Sequence, residues 1–138
     1  MTQENKRKNV AEELSRSSEC LKEADVLQKS ELYSGAVSRL YYHVLHGVRA
    51  LLLSKGLEPK THEGVLRLLS MHFVKEGIFD VETSHIAARL MKFREEADYN
   101  PSFQFTESDY KRFRGEAGIL LGKIREYLKR DGLIDSKE

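Results

Sequence analysis

Residues 33–55, YSGAVSRLYYHVLHGVRALLLSK, are the stretch of the chain that decides its fold. On a helical wheel of 100° per residue, its apolar side chains fall within one half of the circumference, which is the pattern of an amphipathic helix with several neighbours. These side chains are Tyr33, Ala36, Val37, Leu40, Tyr41, Val44, Leu45, Val48, Leu51 and Leu52. The stretch therefore predicts a central helix with a broad buried face.

The opposite half of this helix carries an unusual cluster of side chains. Its members are Arg39, Tyr42, His46 and Arg49, with Leu53 among them. A solvated helix face usually carries a mixture of Lys, Glu and Gln. Tyr and Arg are enriched in protein interfaces, and the guanidinium fork also matches a phosphate. This sector predicts a binding surface, and both a protein interface and a phosphate-binding surface fit it.

Length, charge and cysteine content narrow the class of protein. The chain has 138 residues with 40% hydrophobic content, which predicts a single domain over residues 1–138 with one core. Lys and Arg number 23 against 22 Asp and Glu, so any nucleic-acid contact is expected to be local. With one cysteine, no signal-peptide pattern and no apolar run of about 20 residues, we expect a cytoplasmic protein without a membrane span.

Helix start and stop signals divide the rest of the chain. An earlier helix is predicted from about Asn5 to Gln28, and Gly56 is predicted to end the central helix in the left-handed conformation. The predicted N-caps are Ser30 for the central helix and Thr61, Asp80 and Thr106 for the later ones. No segment shows the alternation typical of a strand. The predicted fold is all-α, an up-and-down antiparallel four-helix bundle with an additional shorter helix.

The last predicted helix carries glycines on one side. They are Gly115, Gly118 and Gly122, with Ile119 close by. Each costs about 1 kcal/mol relative to Ala in a helix interior, which indicates a compensating close approach of a neighbouring helix or of a second subunit. We predict a homodimer, with the aromatic and basic side of the central helix as a second candidate surface.

Two ordered segments carry a resemblance to a known family. They are SRLYYHVLHGVRALLLSKGLEPKTHEGVLRLLSMHFVKEG at residues 38–77 and LMKFREEADYN at residues 90–100. From about Leu32 to Leu128 the chain resembles the HEPN superfamily, named for nucleotide-binding proteins of higher eukaryotes and prokaryotes. The resemblance implies a helical bundle that dimerises and is often encoded beside a minimal nucleotidyltransferase as a toxin–antitoxin pair. Many members are metal-independent ribonucleases, with an Arg followed four to six residues later by His, and two such motifs face each other across the dimer.

The chain departs from that ribonuclease motif. Arg94 stands at the motif arginine, but no histidine follows it, and Tyr99 occupies the expected position. An unperturbed phenol with a pKa of about 10 is a poor general base at pH 7. The resemblance therefore implies a nucleotide- or RNA-binding dimeric partner of a minimal nucleotidyltransferase without efficient ribonuclease activity. The alternative is a ribonuclease toxin that uses Arg94 with Tyr99 or with a displaced histidine.

The candidate ligand-binding residues come from three predicted helices. They are Arg39, Tyr42, His46, Lys60, His62, Arg94, Asp98 and Tyr99. Arg94 and Asp98 stand four residues apart, which fits either an intrahelical salt bridge or a carboxylate that orients Arg94 toward a phosphate. Lys60 and His62 precede and begin the third helix, whose N-terminus would accept a phosphate, although capping by Thr61 explains that turn equally well.

Metal ligation is not expected from the histidines. His43 and His46 lie three residues apart, but no carboxylate or cysteine stands at a spacing that completes a metal site. The other histidines are scattered over separate segments. We therefore expect neither a metal nor another cofactor.

Overall fold

The computed structural model describes residues 2–135 and has the predicted all-α architecture. Its helices are α1 (Gln3–Lys29), α2 (Tyr33–Leu53), α3 (His62–Leu69), α4 (Val81–Tyr99) and α5 (Glu107–Arg130). A π-helical turn at Ser70–Val74 continues α3, and no strand occurs between residues 2 and 135. The four long helices form the bundle and α3 is the additional short one, as predicted.

The central position belongs to α2, which packs against α1, α3, α4 and α5. Its predicted apolar row is buried except for Tyr33, which is half-buried. Burial also extends to His43, Gly47, Ala50 and Leu53. A Cβ atom at Gly47 would lie 2.6 Å from Leu121 Cδ1, so the glycine permits the close approach of α5.

Polar contacts fix α1 against α2 inside the core. The Ser17 hydroxyl donates to the His43 carbonyl oxygen at 2.6 Å, and His43 Nδ1 lies 2.8 Å from the Ser17 carbonyl oxygen. Both residues are buried. Burial lowers the pKa of His43 from its ordinary value, so the ring is neutral at neutral pH and Nδ1–H donates to Ser17.

Most of the predicted helix signals are confirmed. Thr61 Oγ1 accepts the Gly64 N–H at 2.9 Å, and Asp80 Oδ1 accepts the Thr83 N–H at 2.9 Å. The predicted cap Thr106 begins α5 and forms a capping box with Asp109. The predicted left-handed residue after α2 is Gly56, with φ of 72°. These signals succeed because each satisfies backbone groups that a helix end leaves unpaired.

The predicted N-cap of α2 is wrong. Ser30 is instead the C-cap of α1, and Glu31 follows it in the left-handed region with φ of 60°. The Glu31 N–H donates to the Gln28 carbonyl at 2.9 Å and the Leu32 N–H donates to the Leu27 carbonyl at 2.9 Å, which is the Schellman pattern. The turn therefore serves the end of α1, and α2 starts after Leu32 without a side-chain cap.

The third predicted helix is divided. Val65, Leu69 and Phe73 are buried, whereas His72 is half-buried. Regular α-helix ends at Leu69, after which the Lys75 N–H donates to the Ser70 carbonyl oxygen five residues back at 2.9 Å. This π-helical bond inserts a residue into the turn and changes which side chains face the core.

Two features of the outer surface bear on the expectations above. No helix between residues 2 and 135 is long and apolar enough to cross a membrane. The glycine side of α5 is exposed, and a Cβ atom built at Gly115, Gly118 or Gly122 would meet nothing within 4 Å. Within residues 2–135 no neighbouring helix approaches these glycines, and the homodimer expected from them stays a prediction.

A buried phenol and an ion pair connect α1 to α5, and they generate a prediction about acid stability. Asp25 accepts hydrogen bonds from Arg114 Nε and Nη2, both at 2.8 Å, and from the Tyr110 hydroxyl at 2.9 Å. The bonds from Arg114, followed by that from Tyr110, lower the pKa of Asp25 against the opposing effect of burial. The carboxylate is therefore stabilised in the folded state.

We expect Asp25→Asn to lower the free energy of unfolding at pH 7 by about 1 kcal/mol, because the pair is partly exposed and screened. The contribution of Asp25 is complete above its unfolded pKa of about 3.9 and disappears as the pH falls through the lower folded pKa. Urea denaturation of both proteins between pH 7 and pH 3 should thus show curves that converge in acid. Glu19→Gln, which affects an exposed pair with Arg16, is the control and should change little.

Candidate functional site

Arg94 is directed from α4 into the bundle toward α2. Only 8% of its surface is exposed, which is rare for an arginine. Its guanidinium carbon lies 5.1 Å from the centre of the Tyr41 ring and 6.0 Å from the centre of the Tyr42 ring. These distances fit cation–π contacts with two adjacent aromatic residues of α2. The guanidinium of Arg94 is thus packed inside the bundle against α2.

His62 is the histidine that the structure brings to Arg94. It is the first residue of α3, and the Thr61 cap fixes the start of that helix. His62 Nδ1 lies 3.4 Å from Arg94 Nη2, and its ring centre lies 5.6 Å from that of Tyr41 and 5.9 Å from that of Tyr42. An imidazole therefore stands beside the motif arginine, although it comes from a segment more than thirty residues earlier in the sequence.

The polar groups of this cluster are not fully satisfied. Arg94 Nε and the Tyr41 hydroxyl are buried and have no hydrogen-bond partner among the described residues. The nearest carboxylate is Asp98, whose Oδ2 lies 3.6 Å from Arg94 Nη1, too far for a good hydrogen bond. Burying a charge with so little compensation is unfavourable. The predicted Arg94–Asp98 pair is present, but by itself it does not balance the buried cation.

Burial and the arginine charge set the protonation states at the site. Burial lowers the pKa of His62, and the neighbouring Arg94 and Arg49 lower it further. Burial raises the pKa of Tyr41 to about 12, with the Arg94 charge acting in the opposite direction. At neutral pH the site therefore combines a permanent cation, a neutral imidazole and a protonated phenol.

An open surface depression gives access to Arg94. It is lined by Arg94, Glu95, Glu96, Tyr99 and Asn100. Tyr99 is 76% exposed and extends into solvent. The ring that takes the sequence position of the motif histidine is thus outside the cluster, whereas His62 is inside it.

The other candidate residues on α2 face α1. His46 Nδ1 lies 2.7 Å from Glu13 Oε2, and Arg39 Nη1 lies 3.7 Å from Glu23 Oε1. The Arg39 guanidinium also covers the Tyr42 ring, with its central carbon 4.7 Å from the ring centre. Two of the four polar residues in this sector, Arg39 and His46, therefore face α1 of the same chain.

Two further basic residues stand near the entrance to α3. Arg49 Nη1 donates to the Pro59 carbonyl oxygen at 3.1 Å, which holds the loop that leads into α3. Lys60, the next residue of that loop, is exposed. Among residues 2–135 no group of three or more His, Cys, Asp or Glu side chains is arranged to hold a metal ion.

Tyr41 is the site residue that sequence reasoning missed. The helical wheel assigns it to the buried row of α2, and it is indeed 1% exposed. A tyrosine within a mostly aliphatic row is a usable signal, since its hydroxyl requires a partner when buried. Here that hydroxyl lies unpartnered among the groups around Arg94.

Comparison with known sequences places this architecture in a family. A profile of the HEPN domain matches residues 10–127, which include α2, α3, α4 and the cluster around Arg94. The chain belongs to the HEPN domain family. The family resemblance of the two ordered segments is confirmed.

Relatives of this HEPN protein share most of its length. Two proteins of Methanocaldococcus jannaschii that carry the name "Putative toxin" are similar to it. One is 34% identical over 108 residues, covering 78% of this chain and 74% of its own, and the other is 35% identical over 111 residues, covering 80% and 82%. A "UPF0332 protein" of Thermotoga maritima is 38% identical over 118 residues, covering 83% and 89%.

The incomplete compensation of Arg94 predicts the result of removing its charge. Arg94→Met keeps an unbranched apolar stem and removes the buried cation, so we expect the free energy of unfolding without ligand to stay level or to rise by about 1 kcal/mol. Urea denaturation measures this free energy of unfolding. Arg89→Met is the matched control on the same helix, because Arg89 is paired with Glu82 and Glu116 and its loss should destabilise. A decrease of more than about 2 kcal/mol in the free energy of unfolding of Arg94→Met would instead show that Arg94 stabilises the fold.

Proposed function

We propose that this HEPN protein binds a phosphate-bearing ligand, a nucleotide or an RNA, and that Arg94 is its main phosphate contact. The observation that supports this proposal is the buried guanidinium with an unpartnered Nε and a distant carboxylate. An arginine forms strong charge-assisted hydrogen bonds with phosphate oxygens. A bound phosphate would add to the negative charge that Asp98 supplies from 3.6 Å.

The surroundings of Arg94 suit such a ligand. The Arg39 and Arg94 guanidinium carbons lie 4.7 Å and 6.0 Å from the centre of the Tyr42 ring, which is only half-buried and so offers an aromatic surface beside the phosphate contact. A neutral His62 carries one N–H donor in addition to a lone pair. Since the net charge of the chain is only +1, affinity must come from these few local contacts.

The proposed biological setting is a dimer paired with a minimal nucleotidyltransferase. The family resemblance supports it, together with the relatives named as toxins. In that setting the chain is the toxin-side partner, and its phosphate site is the part that acts on or responds to a nucleotide. Failure to find such a partner would leave the phosphate site itself unaffected.

A direct binding measurement tests the phosphate site. We expect a short fluorescein-labelled single-stranded RNA to bind weakly to the wild type, at least tenfold more weakly to Arg94→Met, and with intermediate affinity to Arg94→Lys, which keeps the charge but not the fork. The affinity should fall with a shallow salt dependence, a slope of about −0.7 for each phosphate contacted. Lys92→Ala removes an exposed charge two residues away and should have little effect. Equal affinity of the wild type and a folded Arg94→Met would refute the proposal.

Ribonuclease activity is a second candidate function, favoured by the 3.4 Å contact between His62 and Arg94. In this reaction His62 would accept the proton of the ribose 2′-hydroxyl as O2′ forms a bond to phosphorus. The bond from phosphorus to O5′ then breaks, and the leaving oxygen takes up a proton from water. Arg94 would stabilise the charge on the phosphorane oxygens. The lowered pKa of His62 keeps the base form populated at neutral pH.

A metal-free cleavage assay separates the candidate bases. With chelator present, we expect His62→Gln to reduce cleavage of an RNA substrate by about a hundredfold or more, whereas Tyr99→Phe should leave it unchanged. The wild-type rate should rise with pH and level off below pH 7, since the base has a pKa below about 6.5. Arg94→Met is the control for contaminating nuclease, because cleavage that remains in this variant does not come from the proposed site. Equal rates for the wild type and His62→Gln would eliminate His62 as the base.

A further inference from the structure

His62 packs on the Arg94 cluster from its edge. Its ring centre lies 5.6 Å from that of Tyr41 and 5.9 Å from that of Tyr42, and its Nδ1 atom lies 3.4 Å from Arg94 Nη2. The His62 side chain is half-buried, whereas the residues before and after it in the sequence are exposed. His62 therefore covers buried groups while its own ring stays near the surface, where it has room to turn.

The contact between His62 and Arg94 requires a neutral imidazole. A guanidinium carries only donors, so His62 Nδ1 can face Arg94 Nη2 only as an acceptor, with the ring proton on Nε2. A second ring proton, on Nδ1, would set two donors and two positive charges against each other at this position. His62 is also the first residue of α3, and the N-terminal end of a helix disfavours a positive charge. In the free protein the geometry thus holds the ring neutral.

The formal charges closest to this ring sum to zero in the free protein. Arg94 of α4 and Arg49 of α2 act on His62 with positive charge, and Glu63 of α3 acts on it with negative charge. Asp98 of α4 adds a second negative charge, 3.6 Å from Arg94. Two positive and two negative charges therefore surround the neutral ring, and a ligand that brings further charge disturbs this balance.

Other titratable groups face His62 from the remaining directions. His46 of α2 also acts on it, and His46 Nδ1 lies 2.7 Å from Glu13 Oε2 of α1. Lys60, in the loop before α3, is exposed. Tyr41 stays protonated at neutral pH, since burial raises its pKa to about 12. His46 is thus the second histidine of this neighbourhood, and its titration has to be separated from that of His62.

A phosphate bound at Arg94 adds at least one negative charge, which a proton on His62 would cancel. Phosphate oxygens accept hydrogen bonds from both a guanidinium and an imidazolium. We propose that His62 is a proton-coupled phosphate ligand, which covers Arg94 as a neutral ring in the free protein and, when a phosphate binds, turns, takes up a proton and donates to the phosphate. This inference rests on the proposed phosphate site at Arg94 and adds a regulation by pH to it.

The coupling determines how the affinity depends on pH. In the free protein burial lowers the pKa of His62, and Arg94 and Arg49 lower it further. A phosphate beside the ring raises that pKa in the complex. The proton on His62 therefore adds its full contribution to affinity below the pKa of the free protein, and this contribution disappears as the pH rises through the pKa of the complex. Affinity should increase on acidification, by at most about tenfold for each pH unit.

The coupling also defines when the neutral ring is available as a base. In the second candidate function the neutral form of His62 accepts a proton, whereas the tightest complex holds the protonated form. At low RNA concentration the pH profile of cleavage reports the pKa of the free protein, and at saturating RNA it reports that of the complex. The pH profile of cleavage expected above therefore applies at RNA concentrations well below saturation.

A pH series of binding measurements tests the coupling. The probe is a short 2′-O-methyl oligouridylate with hydroxyl ends and a tetramethylrhodamine label, because it cannot be cleaved at a 2′-hydroxyl and has no group that titrates between pH 6 and pH 8. We expect the wild type to bind it about fivefold or more tightly at pH 6 than at pH 8. His62→Gln keeps a polar side chain that cannot take up a proton, and it should bind equally at both values. Fluorescence anisotropy measures the affinities.

Calorimetry counts the protons directly. Titration of the protein with unlabelled probe at pH 6.5, in buffers that differ in ionisation enthalpy, should show uptake of about half a proton or more per complex for the wild type and none for His62→Gln. His85→Gln changes an exposed histidine of α4 and should keep the pH dependence of the wild type. His46→Gln should keep that dependence as well, whatever its affinity. Circular dichroism at both pH values confirms that each variant is folded.

The outcomes separate this inference from the phosphate site on which it rests. Binding that depends on Arg94 but not on pH would overturn the proton coupling and leave the phosphate site intact. An unchanged pH dependence in His62→Gln would assign the proton to another group and overturn it too. Equal affinity of the wild type and a folded Arg94→Met at both pH values would refute the phosphate site, and the coupling with it.

Discussion

The enclosure of α2 on nearly all sides is the constraint on which the rest of the structure depends. Thirteen of its 21 residues are buried, and α1, α3, α4 and α5 all pack directly against it. Helices that share one neighbour have their relative positions fixed by that neighbour. The cluster around Arg94 follows from this arrangement, since Tyr41, His62 and Arg94 come from α2, α3 and α4 and meet only when the bundle closes.

The burial of apolar side chains along α2 also stabilises the fold enough to offset the destabilising effect of the buried Arg94 charge. Each aliphatic side chain fully buried along α2 stabilises the fold by about 1.5–3 kcal/mol, whereas an incompletely paired buried charge destabilises it by several kcal/mol. One Arg94 is therefore tolerable in a core of this size. On α2, His46 contacts Glu13 of α1 and Arg39 contacts Glu23 of α1. Arg94 of α4 is the buried arginine, and its carboxylate neighbour Asp98 lies 3.6 Å away.

The fold could be predicted because its signals act between residues close in sequence. The site could be predicted only in part because it depends on contacts between distant segments. Apolar periodicity and the caps at Thr61, Asp80 and Thr106 act within a few residues, and each was correct. Ser30 was wrongly predicted as the N-cap of α2, because a Schellman turn and an N-cap can use the same short polar stretch. The family motif identified Arg94, but the position at which the motif places its histidine is occupied by Tyr99. That His62 reaches Arg94 depends on how α3 packs against α4, which no spacing within one segment reveals.

The π-helical turn at Ser70–Val74 has a consequence for how this chain can vary in length. A helix turns by about 100° per residue, so one residue more or less in that turn rotates α3 about its axis relative to the segment that follows. Such a rotation would move His62, at the far end of α3, off the Arg94 side of the bundle while leaving every apolar contact of α2 with α1 in place. Insertions and deletions at this turn would therefore change the orientation of His62 relative to Arg94 while the bundle stays folded.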